Sequence, residues 1–97
     1  MAESKIKAPE ISYTNTLKNN VNLASYTSSN RYTAPTDGYV WVRTDGQADI
    51  HIANGLGATI RSSNGNDTDG CVYVKKGLTL YVDGIFSYAY FRSFEPA

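Results

Sequence analysis

The side chain with the widest chemical repertoire in this sequence is His51, the only histidine among 97 residues. It stands two residues after Asp49 in an alternating stretch, and residues two apart on a β-strand share a face. The carboxylate could therefore orient the imidazole or join it in weak metal binding. A metal centre needs more ligands, and no second histidine and no neighbouring cysteine supplies one. We therefore expect His51 to face solvent or an interface, without a catalytic or metal-binding role.

A polar stretch at residues 64–70 carries the carboxylates and the glycine of a calcium-binding loop. In the helix-loop-helix pattern, however, its first ligand position is Gly65, and its last, normally a bidentate glutamate, is Lys76. The serines offer no specific nucleophile, since none stands in the Gly-x-Ser-x-Gly motif of a hydrolase. These residues predict a solvated surface loop in a protein that is not an enzyme and has no metal and no cofactor.

Aromatic side chains alternate with arginines in two segments, residues 39–43 and 88–94. Tyrosine buries its ring while keeping a hydroxyl for water or a partner, which suits half-buried surfaces and interfaces. Three explanations stay open for this cluster: burial within the monomer, burial at a subunit interface, which we favour, and an exposed platform for sugars. Arginine guanidinium groups could stack on the rings in each case. The candidate interface or ligand-binding residues are Tyr39, Trp41, Tyr73, Tyr81, Tyr88, Tyr90, Arg92 and Phe94.

Composition argues against several classes of function. Basic and acidic residues balance at 9 each, so no strong field would attract nucleic acid or an anionic membrane surface. No apolar run approaches the roughly 20 residues of a transmembrane helix, and the first residues lack the pattern of a signal peptide. We therefore expect synthesis in a cytoplasm, no membrane insertion and no nucleic-acid partner.

The single cysteine, Cys71, excludes an intrachain disulfide and is expected to be buried or half-buried on a strand.

The elements that would hold these side chains are short strands separated by glycine turns. We expect a flexible lead over residues 1–9 and a single domain over residues 10–97. Strands at intervals of about eight to twelve residues, without helical periodicity, predict an all-β fold, an antiparallel jelly-roll-like β-sandwich. Its predicted core consists of Val40, Val42, Ile50, Ile52, Val72, Val74, Leu78, Leu80 and Val82.

Proline and glycine mark the middle of the chain. Pro35 fixes its own backbone angle and lacks an N–H donor, so residues 32–34 are predicted to form an edge strand. Asp37 and Gly38 then form a tight turn that leads into a strand at residues 38–44.

The second half of the sequence has the clearest alternation. Residues 71–74 and 78–82, separated by Lys-Lys-Gly, predict a β-hairpin. Turns are expected at residues 18–20 and 83–84. The other strands are predicted at residues 10–17, 21–26, 48–54, 58–61 and 85–94. Residues 21–26 could equally form an irregular segment along the side of the domain.

Three motifs carry a resemblance to a known family. They are Tyr-Thr-Ala-Pro-Thr-Asp-Gly at residues 32–38, Val-Tyr-Val-Lys-Lys-Gly-Leu-Thr-Leu-Tyr-Val at residues 72–82, and Phe-Arg-Ser-Phe-Glu-Pro-Ala at residues 91–97. Together they resemble the small C-terminal domains of bacteriophage tail-fibre and related virion proteins. Those domains are jelly rolls that look broadly like the tumour-necrosis-factor and complement C1q heads. The chain departs from the pattern at Leu78, where an aspartate is commoner.

The resemblance implies a function as well as a fold. It implies a homotrimer located in a virion, as a non-enzymatic structural or adsorption module at the head of a fibre or spike. The implied partners are other virion proteins, with a host cell-surface glycan as a further candidate. The resemblance supplies no catalytic residue. A carbohydrate-binding module without a virion role is the alternative.

Overall fold

A computed structural model describes the backbone of residues 13–96 and the side chains of residues 20–93. The flexible lead expected over residues 1–9 lies outside the described part of the chain. Within that part, no helix has the length and apolar character needed to cross a membrane. The elements are β1 (Tyr13–Asn22), β2 (Tyr32–Thr33), β3 (Gly38–Thr44), β4 (Gln47–Ile52), a 3-10 turn (Ala53–Gly55), β5 (Leu56–Arg61), β6 (Thr68–Val74), β7 (Thr79–Gly84) and β8 (Tyr88–Pro96).

The strands form two four-stranded sheets in which all pairs are antiparallel. The first sheet has the order β1-β8-β3-β6, and the second has the order β2-β7-β4-β5. Strands pair from the two ends of the chain inward, β1 with β8, β2 with β7, β3 with β6 and β4 with β5. The predicted all-β antiparallel class is confirmed, and the two sheets are compatible with a β-sandwich.

Strands in the middle of the chain lie where the sequence predicts them. The two-residue strand β2 ends shortly before Pro35 and lies at the edge of the second sheet. The next strand, β3, covers the whole predicted segment and ends at Thr44, which is buried. The Thr44 hydroxyl donates to the Ile85 carbonyl and accepts from the Gly46 N–H. These hydrogen bonds let a polar residue end a buried strand without an unpaired group.

A single cluster of buried side chains draws on both sheets. On β3, for example, Val40, Val42 and Thr44 are buried while the residues between them are half-exposed. Burying one such aliphatic side chain contributes about 1.5–3 kcal/mol. The predicted core is confirmed, except that Val72 and Leu78 are half-buried at its margin. The prediction omits five further buried apolar residues, which are Leu23, Ala34, Ala48, Ala89 and Phe91.

The predicted hairpin formed by residues 71–74 and 78–82 is wrong. β6 pairs with β3 in the first sheet, whereas β7 pairs with β2 and β4 in the second. The residues between them cross from one sheet to the other and are held there by the β2–β3 connection. The Lys76 N–H donates to Asp37 Oδ1 at 2.8 Å, and the Gly77 N–H donates to the Ala34 carbonyl at 2.8 Å. Contacts with a distant segment therefore replace the local pairing.

The two predicted turns at residues 18–20 and 83–84 are also wrong, because both lie inside strands. Residues 18–20 belong to β1, where Asn20 is opposite Arg92 of β8 after two irregularities in register. Residues 83–84 belong to β7, where Asp83 is opposite Asp49. Asn19 and Asn20 pair with β8, and Asp83 and Gly84 pair with β4, so pairing with a strand distant in sequence overrides the local turn preference.

Candidate functional site

The outward surface of the first sheet carries most of the candidate aromatic residues. Alternate residues of the neighbouring strands β3, β6 and β8 enter the core, so the intervening side chains project outward. Cross-strand pairing aligns them, since Tyr39 is opposite both Tyr73 and Arg92, and Trp41 is opposite Tyr90. We call this surface the aromatic face, and its residues are Tyr39, Trp41, Arg43, Tyr73, Tyr88, Tyr90 and Arg92.

Arg92 contacts two aromatic rings and an asparagine side chain. Its guanidinium carbon lies 4.0 Å from the centroid of the Trp41 ring and 5.4 Å from that of Tyr90. Its Nε donates to Asn20 Oδ1 at 3.0 Å. A cation over an aromatic ring is attracted by the ring quadrupole, which contributes about 0.5–1 kcal/mol at exposed sites. Arg92 therefore links the three strands β1, β3 and β8.

Tyr88 connects the other rings of the aromatic face. It packs against Trp41 with centroids 5.3 Å apart and an interplanar angle of 78°. Its centroid is 5.6 Å from that of Tyr90 with planes inclined at 36°, and the Arg43 guanidinium carbon lies 5.3 Å from it. Edge-to-face and tilted contacts of this kind are favourable for aromatic pairs. The rings hold one another in place, but they do not form one flat platform.

An ion pair borders the aromatic face. Arg43 Nε and Nη2 donate to Asp69 Oδ1 and Oδ2 at 2.6 and 3.1 Å, and the two residues are directly opposite on β3 and β6. The hydrogen bond from Arg43 holds the pKa of Asp69 below its usual range, and the same bond raises the pKa of Arg43. The bidentate geometry fixes the direction of the guanidinium beside the Tyr88 ring.

The aromatic face is exposed enough to meet a partner. Tyr39, Trp41, Tyr88 and Tyr90 are half-buried, and Tyr73 on the edge strand β6 is 60% exposed. Tyrosine, tryptophan and arginine are the residues that dominate binding energy at protein interfaces. The aromatic face therefore presents rings and guanidinium groups that are already held in place and could contact a partner.

Tyr81 lies apart from the aromatic face. It belongs to β7 of the second sheet, where its ring stacks on His51 with centroids 4.4 Å apart and an interplanar angle of 8°. His51 is half-buried between two buried isoleucines of β4, so its side chain projects outward as expected. The side chain of Phe94 lies outside the described residues, and its part in the site stays a prediction.

Cys71 is exposed, and the expectation of a buried or half-buried cysteine is wrong. It lies on β6 opposite Trp41, on the same side of the strand as Tyr73. The alternation of residues 71–74 is sufficient to predict that Cys71 is exposed. Val72 and Val74 face the core, so their neighbours must face outward.

Sequence reasoning misses Asp69 and Asn20, which fix the two arginines of the aromatic face. The sequence pattern assigns both to turns or loops because of their composition. In the structure residues 68–70 begin β6, and a loop remains at residues 62–67, where the Ser62 hydroxyl donates to the Asn66 carbonyl at 2.6 Å. Alternation continued backward from Tyr73 would have placed Asp69 on the outward surface.

Comparisons of the chain with protein-family models, with curated proteins and with solved structures found no match. The resemblance to tail-fibre domains therefore rests on the three sequence motifs alone. The geometry of the aromatic face is the principal guide to function.

Proposed function

We propose that this protein is a non-enzymatic module that assembles into a homotrimer through its aromatic face, at the head of a bacteriophage or prophage fibre or spike. The proposal depends chiefly on one observation, the stack of Arg92 on Trp41 and Tyr90 within an outward surface of aromatic rings. A surface of this kind favours contact with another protein surface, because its aromatic rings are apolar while the tyrosine hydroxyl and tryptophan N–H groups can still form hydrogen bonds.

Burial of the aromatic face between copies would be favourable for two reasons. At about 25 cal/mol per Å² of apolar area, covering a few rings outweighs the roughly 1 kcal/mol or less of an exposed ion pair. Four of the five rings lie on β3 and β8, which have a partner strand on each side. Little further ordering is then needed on association, which lowers the entropic cost of binding.

The strand pairing supports the finer description of the fold as a jelly roll. A jelly roll is an antiparallel arrangement of eight strands in two sheets built from two Greek keys. In this chain the first strand pairs with the last, and successive pairs proceed inward to β4 and β5. The tail-fibre domains that the motifs resemble are trimeric jelly rolls. A virion location and contacts with other virion proteins belong to the same proposal.

A carbohydrate-binding module without a virion role is the second candidate. It is favoured by Tyr73, an aromatic residue that is 60% exposed on an edge strand. The Trp41 ring, by contrast, is covered by Arg92 at 4.0 Å and meets Tyr88 at 78°. A sugar that stacked on Trp41 would have to displace the arginine, whereas a protein surface could pack over the whole cluster. Self-association is therefore the function we propose.

Two substitutions distinguish these candidates. Trp41→Ala and Tyr90→Ala should each dissociate the trimer at micromolar concentration, because they remove rings from the centre of the aromatic face. Sedimentation velocity measures this dissociation, and a glycan array measures sugar binding by the same variants. Loss of glycan binding with the trimer intact would favour the carbohydrate-binding module.

Tyr81→Ala is the matched control. Its ring is half-buried like that of Tyr90, but it projects from the second sheet. This variant should stay trimeric. If it dissociates as readily as Tyr90→Ala, the aromatic face is not the contact surface.

A further inference from the structure

The outward surface of the second sheet brings together two carboxylates and an imidazole. Asp49 and Asp83 are directly opposite on β4 and β7, and His51 lies two residues further along β4 on the same side. The candidate ligand atoms of the three residues all lie within 4.8 Å of one another. His51 Nε2 is 3.1 Å from Asp83 Oδ1. One imidazole nitrogen and two carboxylate groups thus lie close together on the outward surface of the second sheet.

Neighbouring residues fix the direction of two of these groups, His51 and Asp49. The imidazole lies flat on the Tyr81 ring, with centroids 4.4 Å apart and planes at 8°. The Thr59 hydroxyl donates to Asp49 Oδ1 at 2.8 Å. Groups that hydrogen-bond to metal ligands orient them, and their loss commonly weakens metal binding about 10–100-fold. Two of the three candidate ligands, Asp49 and His51, are therefore oriented before any ion arrives, and Asp83 meets them through its contact with His51.

The charges of Asp49 and Asp83 favour binding of a cation. Like charges placed directly opposite on neighbouring strands repel each other, and Asp49 and Asp83 have this relation. Within the described side chains, the hydrogen bonds to these two carboxylates end on their Oδ1 atoms. Each carboxylate then has acceptor capacity left on its second oxygen. A divalent cation would relieve the repulsion between the two carboxylates and use that capacity.

We propose that Asp49, His51 and Asp83 form a binding site for a divalent transition-metal ion such as Zn²⁺ or Mn²⁺. A neutral imidazole is a ligand for transition metals, whereas Ca²⁺ and Mg²⁺ select oxygen atoms alone. Three protein ligands leave at least one coordination position open toward solvent. The site lies on the sheet opposite to the aromatic face, and the proposal does not depend on the proposed assembly.

Isothermal titration of the full chain with Zn²⁺ tests the site. One ion should bind per chain, and His51→Ala and Asp83→Asn should each weaken binding at least about tenfold. Asp67→Asn, in the exposed loop at residues 62–67, is the control and should bind as tightly as the unaltered chain. No binding of Zn²⁺ at millimolar concentration would overturn the proposal, and so would equal binding by His51→Ala.

A second measurement does not depend on the variants folding. Mn²⁺ added to the unaltered chain should broaden the nuclear magnetic resonance signals of Asp49, His51, Tyr81 and Asp83 before those of other residues. If the first signals to broaden belong elsewhere, such as the loop at residues 62–67, the ion binds there and the proposed site is wrong.

Discussion

The guanidinium carbon of Arg92 lies 4.0 Å from the centre of the Trp41 ring and so joins the two central strands of the first sheet on their outward side. On the opposite side of β8, the neighbouring residue Phe91 is fully buried in the core. Consecutive residues of one strand therefore serve two purposes. Phe91 stabilises the monomer, while Arg92 organises the surface that we propose as the contact between copies.

Arg92→Ala should cost about 1 kcal/mol of stability, because it removes both the contact with Trp41 and the hydrogen bond to Asn20. Urea unfolding at matched protein concentration measures this loss. Trp41 is the only tryptophan, so its fluorescence reports directly on the same contact. Arg92→Lys keeps the charge and should lose less. Unchanged emission and unchanged stability in Arg92→Ala would contradict the importance of the stack.

Phe91→Ala should destabilise the fold by about 3–5 kcal/mol, because the fully buried ring leaves a cavity between the sheets. This is a large part of the roughly 5–15 kcal/mol that stabilises a typical domain. Leu56→Ala is the control, since Leu56 is 55% exposed and its loss should change stability by no more than about 0.5 kcal/mol. Thermal unfolding followed by circular dichroism compares the two variants, and similar melting temperatures would show that the core is placed wrongly.

Asp69 should titrate below its ordinary pKa of 3.8, because Arg43 hydrogen-bonds to the ionised carboxylate. A folded-state pKa below the unfolded value means that the ion pair stabilises the fold above pH 3.8, and that this contribution is lost as the pH falls through the folded pKa. Nuclear magnetic resonance titration of the carboxyl carbon measures the pKa. In Arg43→Gln it should return toward the ordinary value, and a pKa at or above 3.8 in the unaltered chain would refute the pairing.

Gly38→Ala should destabilise the protein by about 1–3 kcal/mol through overpacking. A Cβ at this position would collide with the Arg92 carbonyl oxygen and lie 2.7 Å from Phe91 Cζ, and neither group can move without disturbing β8. Gly46→Ala is a matched control, because its nearest neighbour would be Ile85 Cδ1 at 3.4 Å, an ordinary contact. Equal urea midpoints for the two variants would contradict the close approach of β3 and β8.

Local alternation was sufficient to predict β3 and the sides of its residues. Val40 and Val42 face the core while Tyr39 and Trp41 face outward. Successive side chains of a strand point to opposite faces of the sheet, and here one face meets the core and the other meets solvent. The same alternation placed Tyr90 and Arg92 on one side of β8, opposite the buried Phe91. The aromatic face was therefore largely predictable as a set of residues.

The pairing of strands was not predictable from local pattern. Lys-Lys-Gly between β6 and β7 has the composition of a hairpin turn, but the N–H groups of Lys76 and Gly77 bond to Asp37 and Ala34, far away in sequence. Asp83 lies in a strand because β4 is long enough to pair with it. That pairing is what brings Asp83 to His51, so the cluster on the second sheet could not be predicted without the sheet order.

The mass of the unaltered chain in solution shows whether three copies assemble through the aromatic face. Because assembly is proposed to rest on burial of apolar rings, a trimer should form at micromolar concentration and persist as salt is raised. Equilibrium analytical ultracentrifugation at low and high ionic strength gives this mass. We predict three times the chain mass of 10.6 kDa in both conditions. A monomer at micromolar concentration would contradict the proposed assembly, and so would a trimer that dissociates in high salt but withstands Tyr90→Ser.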